Sequence, residues 1–359
     1  MVEGYTRVKM SRKVFVGMSG GVDSSLAAAL LKEQGYDVTG IFMKNWTRDL
    51  PGFVCGWEKD FKDAKTVAVQ LDIPLLTLDF EKQYRARVVD YMLNAYKLGL
   101  TPNPDIMCNQ EIKFKLFLNA ALDMGADLIA TGHYARISGG DLLTGVDNNK
   151  DQSYFLYRVS KEALSKTLFP LGNIKKAEVR QMAAKRGLYT ANKPDSQGIC
   201  FVGEVGIKQF ILSELGVQPG GDVIDQNGRR VGQHDGAIFY TIGQRHGLNV
   251  GGGLPFYVTH KDMVKNIVYV TTDLNDAKLW SNRVILTNTH WINLKPKAKT
   301  VYSVKCRYRS AASKCQLKLK DNSAELDLEE EVRAVSPGQS AVIYSGDVCL
   351  GGGIIQSAA

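Results

Sequence analysis

No run in this 359-residue chain approaches the roughly 18 consecutive apolar residues that a membrane helix needs. The opening residues, MVEGYTRVKMSRK, lack the apolar stretch of a secretory signal. These two absences point to a cytoplasmic protein with no membrane partner. Cysteine is sparse: Cys55, Cys108, Cys200, Cys306, Cys315 and Cys349, with no two forming C-x-x-C. That spacing excludes a structural zinc ribbon. In a reducing compartment each of them is a thiol, inert or reactive, rather than a staple. Internal repeats and low-complexity tracts are also missing. Acidic residues are outnumbered, 37 Asp+Glu against 45 Lys+Arg, for a net charge of +8. An excess of this size suits a polyanionic partner, nucleic acid before membrane. A soluble enzyme that is merely basic remains the alternative on charge alone.

Apolar material is ample, 44% of residues, and the length exceeds what one core organises, so two or three domains are expected. The first half alternates. KVFVGM, DVTGIFM, IPLLTLDF and ADLIATGHY read as strands covered on both faces. Helical patterns lie between them over Ser24–Glu33, Glu58–Leu71, Tyr84–Leu98 and Lys113–Met124. Such alternation means an α/β domain with a parallel sheet. Ligands of these sheets bind beyond the carboxyl ends of the strands. Gly17–Ser24, Met43, Asp79 and Thr131–His133 all fall at such ends. Beyond residue 160 come short helices, Lys176–Leu188 among them, and then glycine-rich short strands. After Trp280 nearly everything is a short alternating run, the signature of a small antiparallel barrel. The expected division is 1–204, a small α+β central domain at 205–280, and a barrel at 281–359.

After the first strand stands GMSGGVDSS, residues 17–25. Backbone N–H groups followed by a helix N-terminus make an anion site. Gly20 and Gly21 permit close backbone approach, Ser19, Ser24 and Ser25 offer hydroxyls, and Asp23 offers a carboxylate to a magnesium ion. A Walker loop would carry a lysine after its glycines, and a dinucleotide turn would read G-x-G-x-x-G; both are absent. S-G-G-x-D-S-S after a buried strand resembles the phosphate loop of the ATP pyrophosphatases, which bind ATP and expel pyrophosphate as an acceptor oxygen is adenylated.

An adenylated carbonyl needs a nucleophile. Cys108, in TPNPDIMCNQEIKF, follows a Pro-Asn-Pro turn and precedes a helix expected to begin near Gln110. A thiol near a helix N-terminus has a lowered pKa. Cys200, in PDSQGICFVG, follows Asp195 and Ser196 in a glycine-containing loop. From flanking chemistry alone, two inert buried cysteines remain equally open.

The stretches GMSGGVDSS, GIFMKNW, TPNPDIMCNQEIKF, ATGHYAR, KDQSYFL, KPDSQGICFVG, YTIGQRHGL and AVSPGQSAVIYSGDVCLGGGII run almost end to end. Together they resemble the tRNA-specific 2-thiouridylase family of bacteria and mitochondria. The resemblance implies ATP-dependent thiolation of C2 of the wobble uridine. It makes Cys200 the bearer of a persulfide and Cys108 the thiol that releases sulfur and then closes a disulfide with Cys200. It implies a tRNA substrate and a cysteine desulfurase or relay protein as sulfur donor; we expect a monomer. Nucleotide contacts carried over are Gly17, Met18, Ser19, Gly20, Gly21, Val22, Asp23, Ser24, Met43 and Gly132. Asn103, Pro104 and Asp105 would meet a flipped target base, since chemistry at C2 requires the base out of its stack. His133, Lys150, Asp151, Gln152, Arg307, Tyr308 and Gln339 would lie on the tRNA side. An iron–sulfur cluster on Asp105, Cys108 and Cys200 is a less favoured alternative, with three ligands at most.

The run KPKAKTVYSVKCRYR adds a basic strip in which Lys305, Arg307 and Arg309 share one face if the strand continues, a ladder suited to phosphates. Cys55, Cys306, Cys315 and Cys349 have no reactive surroundings in the sequence and read as structural. Two other readings stay open: an amide-forming synthetase of the same superfamily, for which no glutaminase half is visible, and a non-catalytic RNA-binding protein.

Overall fold

A computed structural model describes residues 11–49, 54–195, 206–248, 250, 255–293 and 295–359. In β1 (Lys13–Gly17), Val14, Phe15 and Val16 are all buried, as a strand covered on both faces requires. With β2 (Asp37–Lys44), β3 (Leu75–Asp79) and β4 (Leu128–Ala130) it builds a parallel sheet, completed by the short β7 (Thr167–Leu168). The order is β3-β2-β1-β4-β7, and every pairing is parallel. The chain therefore leaves β1 in one direction to build β2 and β3, and returns to the other side for β4. Between β1 and β4 lies the switch point where such sheets hold ligands.

Helices cover both faces. The first, α1 (Val22–Glu33), buries Leu26, Ala27, Ala28 and Ala29, and these small side chains share a core with Val179 and Ala183 of α3 (Lys176–Lys185). On the flank of the sheet runs α2 (Trp57–Gln70). Helical runs at 81–97 and 104–123 bury Tyr84, Met92, Ile112 and Phe117 against the other face. The second run begins before the expected Gln110. Asn103 caps it, its Oδ1 accepting from Ile106 N–H (3.4 Å), and Pro104 occupies the first turn, where a missing N–H costs nothing. Cys108 thus sits inside a helix and not ahead of one.

The central domain holds α4 (Ile207–Leu215) and strands β8 (Gly221–Ile224), β9 (Arg230–His234), β10 (Tyr257–Asp262) and β11 (Ile267–Thr271), in the order β10-β11-β8-β9 around Val223, Val258 and Val268. The last domain contains β12 (Trp280–Trp291), β13 (Tyr302–Lys305), β14 (Ser313–Lys320), β15 (Ser323–Arg333), β16 (Ser340–Ser345) and β17 (Val348–Ala358). Pairing of β12 with both β15 and β17 closes these six into an antiparallel barrel. A hairpin of the first domain, β5 (Ala135–Ser138) and β6 (Asp141–Thr144), adds to β17 through Val348–Leu143 and Cys349–Leu142. The barrel is thereby fixed to the segment that leaves β4 at the switch point.

Candidate active site

The loop after β1 is shaped by its own backbone. Met18 N–H donates to Ile41 O (2.8 Å), extending the ladder to β2. Gly20 has φ +73°, and a Cβ there would fall 2.2 Å from Asp60 O, so no other residue fits. Ser19 N–H donates to Ser24 Oγ (3.2 Å), and the Ser24 and Ser25 hydroxyls donate to Gly21 O at 3.1 and 2.8 Å. The buried Ser25 hydroxyl therefore holds the helix start rather than facing a ligand, contrary to the sequence reading. Met18 and Val22 are buried in the core shared by β1 and α1, so only their backbone is left to face the loop's ligand side. Gly17 lies under Met43, whose Cε would be 3.1 Å from a Cβ at that glycine. Gly132, past β4, faces the first turn of α1: a Cβ there would lie 2.8 Å from both Asp23 C and Ser24 N. Asp79 caps Glu81 N–H (3.1 Å) and meets Lys44 Nζ at 3.4 Å on the sheet's edge.

A lysine distant in sequence reaches the loop's carboxylate. Lys176 Nζ, at the start of α3, donates to Asp23 Oδ1 (2.6 Å) and lies 3.0 Å from Asp195 Oδ1. Tyr134 O–H donates to the same Asp23 oxygen (2.7 Å), and burial together with that carboxylate pushes its pKa far up. Asp195 is also met by Lys150 Nζ (2.8 Å) and Arg180 Nη2 (2.5 Å). Burial would raise the Asp195 pKa, but the hydrogen bonds from Lys150 and Lys176 outweigh it and hold the carboxyl at about 2. Lys193 Nζ closes the loop's other side on Gly20 O (3.0 Å), Asp60 (2.7 Å) and Asp63 (2.5 Å). Sequence reasoning missed Tyr134, Lys176 and Arg180 and treated Asp195 as a flank. The available signal was Lys176 and Arg180 four apart, hence on one helix face.

Cys108 is buried, in a core with Ile106, Ile112 and Phe114. Its segment is clamped by the other two domains. Thr101 N–H donates to Pro337 O (2.9 Å), Gln339 Nε2 donates to Thr101 O (2.9 Å), and the Thr101 and Thr241 hydroxyls meet at 3.2 Å. Pro104 is buried, and burial raises the Asp105 carboxyl against the pull of Lys113. Asn109 Nδ2 donates to Phe155 O (3.1 Å), and the Phe155 ring packs on Tyr308 at 4.3 Å. Cys200 lies outside the described residues.

Several expected RNA contacts have other tasks. Asp151 is buried and accepts from Gly145 N–H, Ser153 N–H, Ser153 Oγ and, across the domain boundary, Lys305 Nζ (3.3 Å). It is an interior anchor and not an RNA-facing charge. Gln152 Oε1 accepts from Tyr134 N–H (2.9 Å). His133 is buried, its Nδ1 2.7 Å from Thr131 Oγ1 and its ring against Phe114 and Phe169; burial and Lys113 drive its pKa down. The basic ladder does not form. The strand ends at Lys305, which turns inward to Asp151, and Ser310 N–H to Arg307 O (3.1 Å) closes a turn. Arg307 Nη2 donates to Ile242 O, Ala334 O and Ser336 Oγ, while exposed Arg309 stacks over Tyr308 (5.3 Å). Gln339 is half-buried on Thr101.

Cys306 and Cys315 lie in the barrel core with burial pushing each thiol up to about 12; burial raises Cys349 further and also lifts Cys55. These four suit structural positions. Among the described residues no three His, Cys, Asp or Glu side chains stand together as a metal donor set, and Asp105 and Cys108 belong to a buried helical turn. The third ligand of the cluster alternative, Cys200, lies outside the described residues. No described helix is long and apolar enough to cross a membrane.

Three family models match in succession: the tRNA methyl transferase HUP domain over residues 12–204, the tRNA methyl transferase PRC-barrel domain over 208–272 and the aminomethyltransferase beta-barrel domain over 281–355. The tRNA-specific 2-thiouridylase MnmA of Listeria innocua is 51% identical over 352 residues, 96% of this chain and 95% of that protein. Its counterpart in Bacillus mycoides is 49% identical over 356 residues, 97% and 96% of the two chains. A solved 4-thiouridine synthetase–RNA complex with bound ATP is a more distant likeness, with 20% identity and a TM-score of 0.37 over 54% of this chain and 45% of that one. With about half its residues shared along nearly its whole length, this chain belongs to the tRNA-specific 2-thiouridylase family.

Proposed function

We propose that the chain thiolates C2 of the wobble uridine of tRNA, driven by ATP and working as a monomer. Uracil C2=O is a urea-like carbonyl and a poor electrophile, so its oxygen must first become a leaving group. The Gly17–Ser24 backbone binds the ATP phosphates, with Met43 and Gly132 against the nucleoside. The uridine, flipped out of its stack, lies by Asn103, Pro104 and Asp105. Uridine O2 attacks the α-phosphorus, pyrophosphate leaves, and an O2-adenylyl uridine remains. Lys150, Gln152, Tyr308 and Gln339, with the outer surface near His133 and Arg307, form the RNA side.

A persulfide on Cys200, loaded by a cysteine desulfurase or relay protein, supplies the sulfur. Its terminal sulfur bonds to C2. The Cys108 thiolate then attacks Cys200 Sγ, so the S–S bond of the persulfide breaks and a Cys108–Cys200 disulfide forms. Collapse at C2 expels AMP and leaves C2=S. A thiol reductant restores both cysteines. Magnesium fits this site at one position: Lys176 and Tyr134 both bond Asp23 Oδ1, and Oδ2 accepts nothing among the described residues. One carboxylate with phosphates and water suits that ion, which would offset phosphate charge.

The observation that supports this reading most is the glycine loop at the β1/β4 switch point, with Asp23 and four cationic side chains around it, Lys150, Lys176, Arg180 and Lys193. The test is pyrophosphate release with wobble-uridine tRNA, ATP and a persulfide donor. Thiolation expects pyrophosphate and 2-thiouridine in equal amount. Pyrophosphate with ammonia and a small acceptor, and none with tRNA, would indicate an amide synthetase. Affinity for tRNA without pyrophosphate would indicate a binding protein.

A further inference from the structure

A pyrophosphate leaving group carries several negative charges, and the reaction accelerates when fixed cations meet them in the transition state. The loop itself contributes backbone N–H groups and no cation. Four cationic side chains stand around it, and their bonds separate them. Lys193 is committed to Asp60, Asp63 and Gly20 O. Lys150 and Arg180 reach the cluster only through Asp195. Lys176 alone of the four touches the loop's own carboxylate, Asp23.

Lys176 is also held in place. Its side chain is 11% exposed, its ammonium lies 5.7 Å from the Tyr134 ring, and its backbone N–H donates to Asp147 Oδ2 (2.9 Å). A cation this desolvated requires anions, and the described chain supplies Asp23 on one side and Asp195 on the other. The Asp195 carboxylate takes charge-assisted bonds from Lys150, Lys176 and Arg180 at once, the kind of contact a phosphate takes.

We infer that Lys176 is the cation that grips the departing pyrophosphate, with Arg180 beside it, and that Asp195 occupies their donors until phosphate displaces it. This rests on the adenylation reading above for its catalytic part, and on geometry alone for its binding part. No bond is made or broken by Lys176: the α–β phosphoanhydride breaks as uridine O2 bonds to phosphorus, and the ammonium neutralises the oxygen that leaves.

The test titrates the full chain with inorganic pyrophosphate and, separately, AMP by calorimetry, and measures pyrophosphate release with tRNA and ATP. Lys176→Met should weaken pyrophosphate binding at least tenfold, change AMP binding less than twofold, and lower kcat for pyrophosphate release about a hundredfold. Lys176→Arg should restore part of the binding. Asp195→Asn should tighten pyrophosphate binding severalfold by removing the competing carboxylate, a direction that damage to the fold would not produce. Unchanged pyrophosphate binding in Lys176→Met, or weaker binding in Asp195→Asn, overturns the inference. Should Lys176→Met not fold, the sign of the Asp195→Asn effect decides. Lys176-dependent pyrophosphate binding in a chain that thiolates no tRNA would sink the proposed function and leave this site standing.

Discussion

Gly132 faces the Asp23–Ser24 peptide so closely that a Cβ would lie 2.8 Å from each of the two atoms joined there. This contact sets how near the β4 loop approaches the start of α1, and hence the width of the switch-point crevice. Gly132→Ala must push backbone against backbone, because neither neighbour is a flexible side-chain tip. The expected result is a KM for ATP raised at least tenfold, with a loss of about 1–3 kcal/mol in stability. Steady-state kinetics and a denaturant melt check it. Unchanged KM would mean that the crevice does not hold the nucleotide.

Asp23 carries the loop's charge and receives Lys176 and Tyr134. Asp23→Asn keeps the shape and removes the charge. We expect ATP-dependent pyrophosphate release to fall about a hundredfold or more, with tRNA affinity within twofold of the original. Filter binding separates the two quantities.

Asp151 and Lys305 tie the first domain to the barrel, the carboxylate side chain 3% exposed and the lysine 25%. Asp151→Asn leaves a poorly hydrated ammonium facing a neutral amide. The expected cost is about 2–4 kcal/mol, read as a fall in melting temperature, and the double variant with Lys305→Met should recover more than half of it. A loss of tRNA binding with no loss of stability would return Asp151 to the RNA surface.

Burial lowers the pKa of His133, His234, His260 and His290 below 6.5. The unfolded chain then binds more protons than the native one as pH falls through 6.5. Stability is therefore full above that pH and declines below it, each histidine adding at most about 1.4 kcal/mol per pH unit. Thermal melts from pH 8 to 5 should fall toward acid, and His133→Asn should melt lower at pH 8 but lose less between pH 7 and 5. An equal acid loss in both proteins would contradict a neutral buried His133.

The strand, glycine pair and helix that open the chain were legible because local pattern carries them: an apolar run, two glycines, then a helical period. The closed barrel was legible from period-two runs after Trp280. Lys176 and Asp195 were not, since nothing local to them indicates that folding brings Lys176 onto Asp23, 153 positions away. Asp151 was placed on the tRNA side by resemblance, and its buried pairing went unseen because its partner Lys305 lies 154 positions on. The alternation at 305, 307 and 309 continues past the residue where the strand ends, so periodicity could not reveal that Arg307 turns inward onto Ile242, Ala334 and Ser336.

The most direct test of the account is a single-turnover assay with wobble-uridine tRNA, ATP and a desulfurase carrying labelled cysteine sulfur. The intact chain should acquire labelled sulfur on the Cys200 peptide before tRNA is added, then pass it to uridine as pyrophosphate appears. Cys200→Ser should still release pyrophosphate but transfer no label. Full transfer of label by Cys200→Ser would contradict the persulfide route.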